Sequence, residues 1–71
     1  MIRECIESIV LGRDLDTDEA ATAMQEIMAG RATDAQIGGL ITALRMKGET
    51  IDELVGMARA MRRNALKVHA S

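Results

Sequence analysis

Few residues in this 71-residue sequence combine reactive chemistry with neighbours that could direct it. His69 is the only histidine. It has the proton affinity of a general base, but it sits at the chain end with nothing identifiable to orient it, and no Ser/His/Asp arrangement can be drawn around it. Cys5 falls on an apolar repeat, which is the pattern of a structural thiol and not of an activated nucleophile. Asp14, Asp16 and Asp18 alternate as calcium-loop carboxylates do. The glycine and the bidentate glutamate that such a loop needs are missing, so these read as solvated loop and helix-capping charges. Gly38 and Gly39 lie inside a helical pattern with no preceding strand, which excludes a phosphate-cradling loop. Met24, Met28, Met57 and Met61 recur at helical spacing and read as core filling more readily than as an adaptable binding groove. Arg59, Arg62, Arg63 and Lys67 crowd the last helical turns, where cations offset the helix dipole; an anionic partner, such as the Asp14–Glu19 region of another copy, is the other reading. The chain carries no catalytic constellation and no metal-ligand set.

Composition narrows the classes further. The sequence has no Phe, Tyr, Trp or Pro, and its net charge is −2. A dedicated nucleic-acid binder would show a basic face and aromatic stacking platforms, so nucleic acid is not expected as a partner. No apolar run approaches the roughly 20 residues that span a bilayer, so no membrane association is expected either. The Ile2–Leu11 stretch is interrupted by Arg3, Glu4 and Glu7, unlike a signal-peptide core. One cysteine forms no intramolecular disulfide, and a reduced, cytoplasmic setting is expected.

The elements that hold these residues follow from punctuation. Gly12, Gly30 and Gly48 end periodic segments, as glycine does just past a helix C-terminus. Thr33 with Gln36, and Thr50 with Glu53, fit the reciprocal capping box, while Thr17 before Asp18 and Glu19 marks another helix start. The spacing predicts helices over 2–11, 18–29, 34–47 and 51–65, with no sustained strand alternation. The expected fold is all-α, a small four-helix bundle with orthogonal or antiparallel packing and short connections. Apolar stripes predict the buried faces: Ile2, Cys5, Ile6 and Ile9; Ala20, Met24, Ile27 and Met28; and Ile51, Leu54, Val55, Ala58, Met61 and Ala65.

The third helix lacks a polar side. Ile37, Leu40, Ile41 and Leu44 form one face, and Ala35, Gly39, Ala43 and Met46, flanked by Gly38 and Thr42, form the other. Two mid-helix glycines cost about 1 kcal/mol each relative to alanine, a cost that makes sense where another backbone approaches. Either this helix is central and wrapped by the other three, or its small-residue face docks on a second chain or a neighbouring domain.

Acyl carrier proteins share the size, acidity and four helices, but their serine-bearing motif has no counterpart, since Ser8 lies inside the first helix and Ser71 is terminal. The stretch from Met28 to Leu54, MAGRATDAQIGGLITALRMKGETIDEL, closely resembles the amino-terminal helical domain of the anthranilate phosphoribosyltransferases, and Met57 to Arg62 continues the likeness. Gly30 to Ile37 and Leu44 to Thr50 are its most telling parts. Related helical domains open the pyrimidine nucleoside phosphorylases.

The resemblance implies a tryptophan-biosynthesis enzyme that moves phosphoribosyl from phosphoribosyl pyrophosphate to anthranilate with magnesium. It also implies that the machinery lies elsewhere: the family's Gly-Thr-Gly-Gly-Asp loop follows this domain on a large α/β domain, and it is absent here. Lys67-Val68-His69 does not match the family's later Lys-His-Gly-Asn motif. No catalytic, cofactor or metal role therefore carries over to any position, and the 71 residues alone are expected to be inactive. What does carry over is assembly, because the family's helical domain packs on the α/β domain and supplies a homodimer interface through its first and third helices. On these positions that interface comprises Ile2, Ile6, Ile9, Ile37, Gly38, Gly39, Ile41, Thr42 and Arg45. A free-standing helical homodimerisation or interaction module, or the equivalent domain of a pyrimidine nucleoside phosphorylase, is the other reading.

Overall fold

Three reciprocal capping boxes set where the helices begin. In the computed structural model, which describes residues 2–69 and side chains as far as residue 65, the helices are α1 (Ile2–Val10), α2 (Thr17–Met28), α3 (Asp34–Lys47) and α4 (Ile51–His69). The Thr33 hydroxyl accepts from the Gln36 N–H at 3.1 Å while the Gln36 side-chain carbonyl accepts from the Thr33 N–H at 3.0 Å. Thr50 and Glu53 repeat the exchange at the start of α4. At α2 the cap is Asp16, one residue before the expected Thr17: its carboxylate accepts from the Glu19 N–H at 2.7 Å, and Glu19 reaches back. A carboxylate satisfies the same orphan donors and adds a favourable charge at the positive end of the dipole. Gly12, Gly30 and Gly48 take φ values of 85°, 75° and 93°, conformations in which a Cβ would be strained.

The helices pair as α1 with α3 and α2 with α4, with α1 also touching α2. The core joins Ile2, Cys5 and Ile9 of α1, Leu15 of the following loop, Ala20 and Ala23 of α2, and Leu40 and Leu44 of α3. Each buried Leu or Ile contributes about 1.5–3 kcal/mol of apolar transfer.

The central-helix reading of α3 is not what the structure adopts. Only Leu40 and Leu44 of α3 are buried, Ile41 is exposed, and Met46 is 84% exposed. Four short helices supply too little surface to enclose one of their number.

Helix α4 departs most from expectation. Its predicted buried stripe is largely on the outside: Ile51 is 79% and Leu54 52% exposed, with Val55, Ala58, Met61 and Ala65 exposed beside them. Glu53, Gly56 and Ala60 are buried instead. A Cβ placed on Gly56 would collide with the Thr17 carbonyl oxygen and lie 2.9 Å from the Ala20 Cβ. Helix α4 therefore meets α2 at backbone distance, over Ala20 and Ala21. Small residues permit this approach, and a ring at this contact would prevent it. On α2 the same geometry buries Ala20, Ala21 and Ala23, leaves Met24 and Ile27 half-buried, and exposes Met28.

Candidate interaction surfaces

The residues with reactive chemistry serve the fold. Cys5 is buried, and that burial pushes its thiol up, with the charges of Glu19 and Glu26 adding to the effect. A thiol so raised is protonated and a poor nucleophile. The three alternating aspartates diverge to separate tasks: Asp14 pairs with Lys47 at 2.9 Å, Asp16 caps α2, and Asp18 pairs with Arg59 at 2.7 Å. Asp18 of the same chain thus meets Arg59, the role considered for a second copy. Among the described residues no three His, Cys, Asp or Glu side chains are grouped as a metal site. The side chains of Lys67 and His69 lie outside those described.

One polar cluster organises the junction of three elements. Glu53 is fully buried, with 0% exposure. Its Oε2 accepts from the Leu15 N–H at 2.7 Å, and its Oε1 accepts from the Thr50 N–H and from Lys47 Nζ, both at 2.9 Å. Lys47 also donates to Asp14 and to the Gly48 carbonyl. The cluster ties the α1–α2 loop, the end of α3 and the start of α4 together. Burial alone would push the Glu53 carboxyl up, but the Leu15 and Thr50 N–H groups and the Lys47 ammonium outweigh it and hold the carboxyl below its ordinary value. Sequence reading found the Thr50–Glu53 cap but not the second function of Glu53; a glutamate on the small-residue side of α4 was the available signal.

Beside this junction an apolar groove of about 750 Å³ opens between α1 and α3. Ile9, Val10, Gly12, Gly38, Gly39, Thr42, Ala43, Met46 and Lys47 line it. The space over Gly38 and Gly39 is open: a Cβ added to either would have no neighbour within 4 Å. Of the positions expected at an interface, the fold brings Ile9, Gly38, Gly39 and Thr42 to this groove. Ile41 and Arg45 are exposed on α3 outside its lining, and Ile37 is half-buried. Ile2 and Ile9 are core residues and Ile6 packs against them, so α1 presents little of these three side chains. Ala43 and Met46, members of the small-residue face considered for docking, also line the groove, and Val10 lines it without having been singled out; an apolar Val10 off the stripe of α1 was the hint.

Among the described residues no helix is long and apolar enough to cross a membrane. Residues 3–65 match the family model of the glycosyl transferase family, helical bundle domain. The chain is 57% identical over 68 residues to the anthranilate phosphoribosyltransferase of Roseiflexus sp. (strain RS-1), covering 96% of this chain and 20% of that protein. It is 51% identical over 69 residues to the same-named protein of Ruminiclostridium cellulolyticum, covering 97% and 20%. For Dehalococcoides mccartyi (strain CBDB1) the identity is 48% over all 71 residues, 21% of the relative. The chain spans about a fifth of the length of these curated relatives. With four helices, no strand among the described residues and a family match over nearly all of its length, the chain belongs to the glycosyl transferase family, as its helical bundle domain.

Proposed function

We propose that this chain is the amino-terminal helical domain of an anthranilate phosphoribosyltransferase, acting in the cytoplasm, and that its part in phosphoribosyl transfer to anthranilate is assembly and not chemistry. That part asks for no catalytic group on these residues. It presents the α1–α3 groove to a second copy, forming a homodimer, and it packs on the catalytic α/β domain. The observation that carries this reading is the groove itself: an apolar channel whose floor is bare at Gly38 and Gly39. Two adjacent mid-helix glycines are unfavourable for an isolated helix, and open space above them admits a partner backbone.

Gly39→Leu tests it. The side chain enters open space, so circular dichroism keeps its helical amplitude, while sedimentation or light scattering shows the association of the parent chain reduced several-fold. The parent chain gives no phosphoribosyl transfer. A chain that stays monomeric at high concentration sinks the dimer, and measurable turnover by these 71 residues overturns the non-catalytic assignment.

A further inference from the structure

Among the described residues that line the α1–α3 groove, Lys47 alone carries a charge. It stands at the carboxy-terminal end of α3, and its side chain is only 9% exposed. A lysine ammonium has three N–H donors and no acceptor. Three acceptors of this chain match them, each at 2.9 Å: the Asp14 carboxylate, the Gly48 carbonyl and the Glu53 carboxylate. Lys47 thus keeps no donor for a partner, and what it offers the groove is its alkyl stem.

The acceptors belong to different elements. Asp14 follows Gly12, which lines the groove from the α1 side, by two residues. Glu53 lies in the first turn of α4 and also holds the Leu15 N–H. The two ends of this tie differ in depth, because the Asp14 side chain is 63% exposed and that of Glu53 is 0% exposed. An ion pair with an exposed partner adds little to stability, so the outer contact acts on shape.

We propose that Lys47 is a positioning residue for assembly: its ammonium straps the α1–α2 loop to the end of α3, closes that end of the groove, and couples the groove to the seating of α4. The proposal rests on the reading that the groove receives a second copy. Coupling of this kind is reciprocal. A seated α4 keeps the groove in shape, and a filled groove steadies the first turn of α4 in return. A wall residue such as Met46 supplies contact area to the groove and transmits nothing.

Asp14→Ala cuts the strap at its exposed end and leaves Glu53 its lysine. The urea midpoint of the dilute chain is expected to stay close to the parent's, while the dimer dissociation constant from sedimentation rises several-fold. Asp14→Glu, which restores a carboxylate, should recover most of that affinity. Hydrogen exchange at the Leu15 amide reads the inner end of the tie, since Glu53 accepts its bond. Compared at equal fractions of dimer, the protection that Leu15 gains on association should be several-fold larger in the parent than in Asp14→Ala. A parent that dimerises with an unchanged constant in Asp14→Ala overturns the strap and leaves the groove dimer standing. A weaker dimer with an equal gain at Leu15 makes Asp14 a direct contact and overturns the coupling. A midpoint that falls steeply in Asp14→Ala makes that residue part of the core and overturns the proposal too. A parent that is monomeric at every concentration removes the groove dimer, and this proposal with it.

Discussion

Gly56→Ala unfolds most of the domain's population under conditions where the parent chain is folded. The added methyl meets the Thr17 carbonyl oxygen and the Ala20 Cβ, and two of the three nearest atoms are backbone. Rotamer changes cannot relieve that contact, so α2 and α4 must separate along their whole shared length. Overpacking of a core generally costs about 1–3 kcal/mol and at times more. With fixed backbone on the far side, the expected loss is about 3 kcal/mol or more, a large share of what a small domain possesses. Urea denaturation followed by circular dichroism measures it as a lower midpoint. Gly38→Ala is the internal control: it is also mid-helix but opens onto empty space, so it should stabilise by about 0.5–1 kcal/mol. Equal effects at the two glycines would mean that α2 and α4 do not approach at backbone distance.

Why the Gly56 contact escapes sequence reading is instructive beside what was legible. Thr33 with Gln36 and Thr50 with Glu53 announce their helices because a cap is a local device, complete within four residues. The stripe of α1 is equally plain, since Ile2, Cys5 and Ile9 all enter the core. On α4 the same reasoning selects the wrong side. Periodicity identifies an apolar face but not what will cover it, and here the chain's own contact uses Gly56 and Ala60 against Ala20 and Ala21. The alternating small residues were visible, yet their weight comes from backbone proximity, which only the assembled fold reveals. The groove was half legible: Gly38, Gly39 and Thr42 were singled out on α3 and Ile9 on α1, but the rest of the facing wall is Val10 and, just past the end of α1, Gly12, not the isoleucines Ile2 and Ile6.

Glu53→Ala should be nearly as damaging, by about 3–5 kcal/mol, the range for removing one partner of a buried ion pair. It leaves the Leu15 N–H without its acceptor and deprives Lys47 of its buried partner. The pH dependence carries the specific signature. Because the Glu53 carboxyl is held below its ordinary value in the folded state, its stabilisation is complete above the ordinary carboxylate pKa and is lost as pH falls through the depressed one. Lys47 behaves in the opposite sense: hydrogen bonding to Asp14, and then to Glu53, raises its pKa, so its contribution is whole below the ordinary lysine value and disappears on the alkaline side. The parent chain is thus expected to show an acid limb in urea midpoint against pH that Glu53→Gln flattens. An acid limb unchanged in Glu53→Gln would assign it to other carboxylates.

The interleaving of the pairs, α1 with α3 and α2 with α4, has a consequence for how the chain is made. A polypeptide emerging from the ribosome can close α1 on α3 once Lys47 is out, but α2 then waits with Ala20 and Ala21 uncovered. That face is completed only when Gly56 and Ala60 have followed. The packing face of α2 toward α4 is thus the last part of the fold that translation can complete.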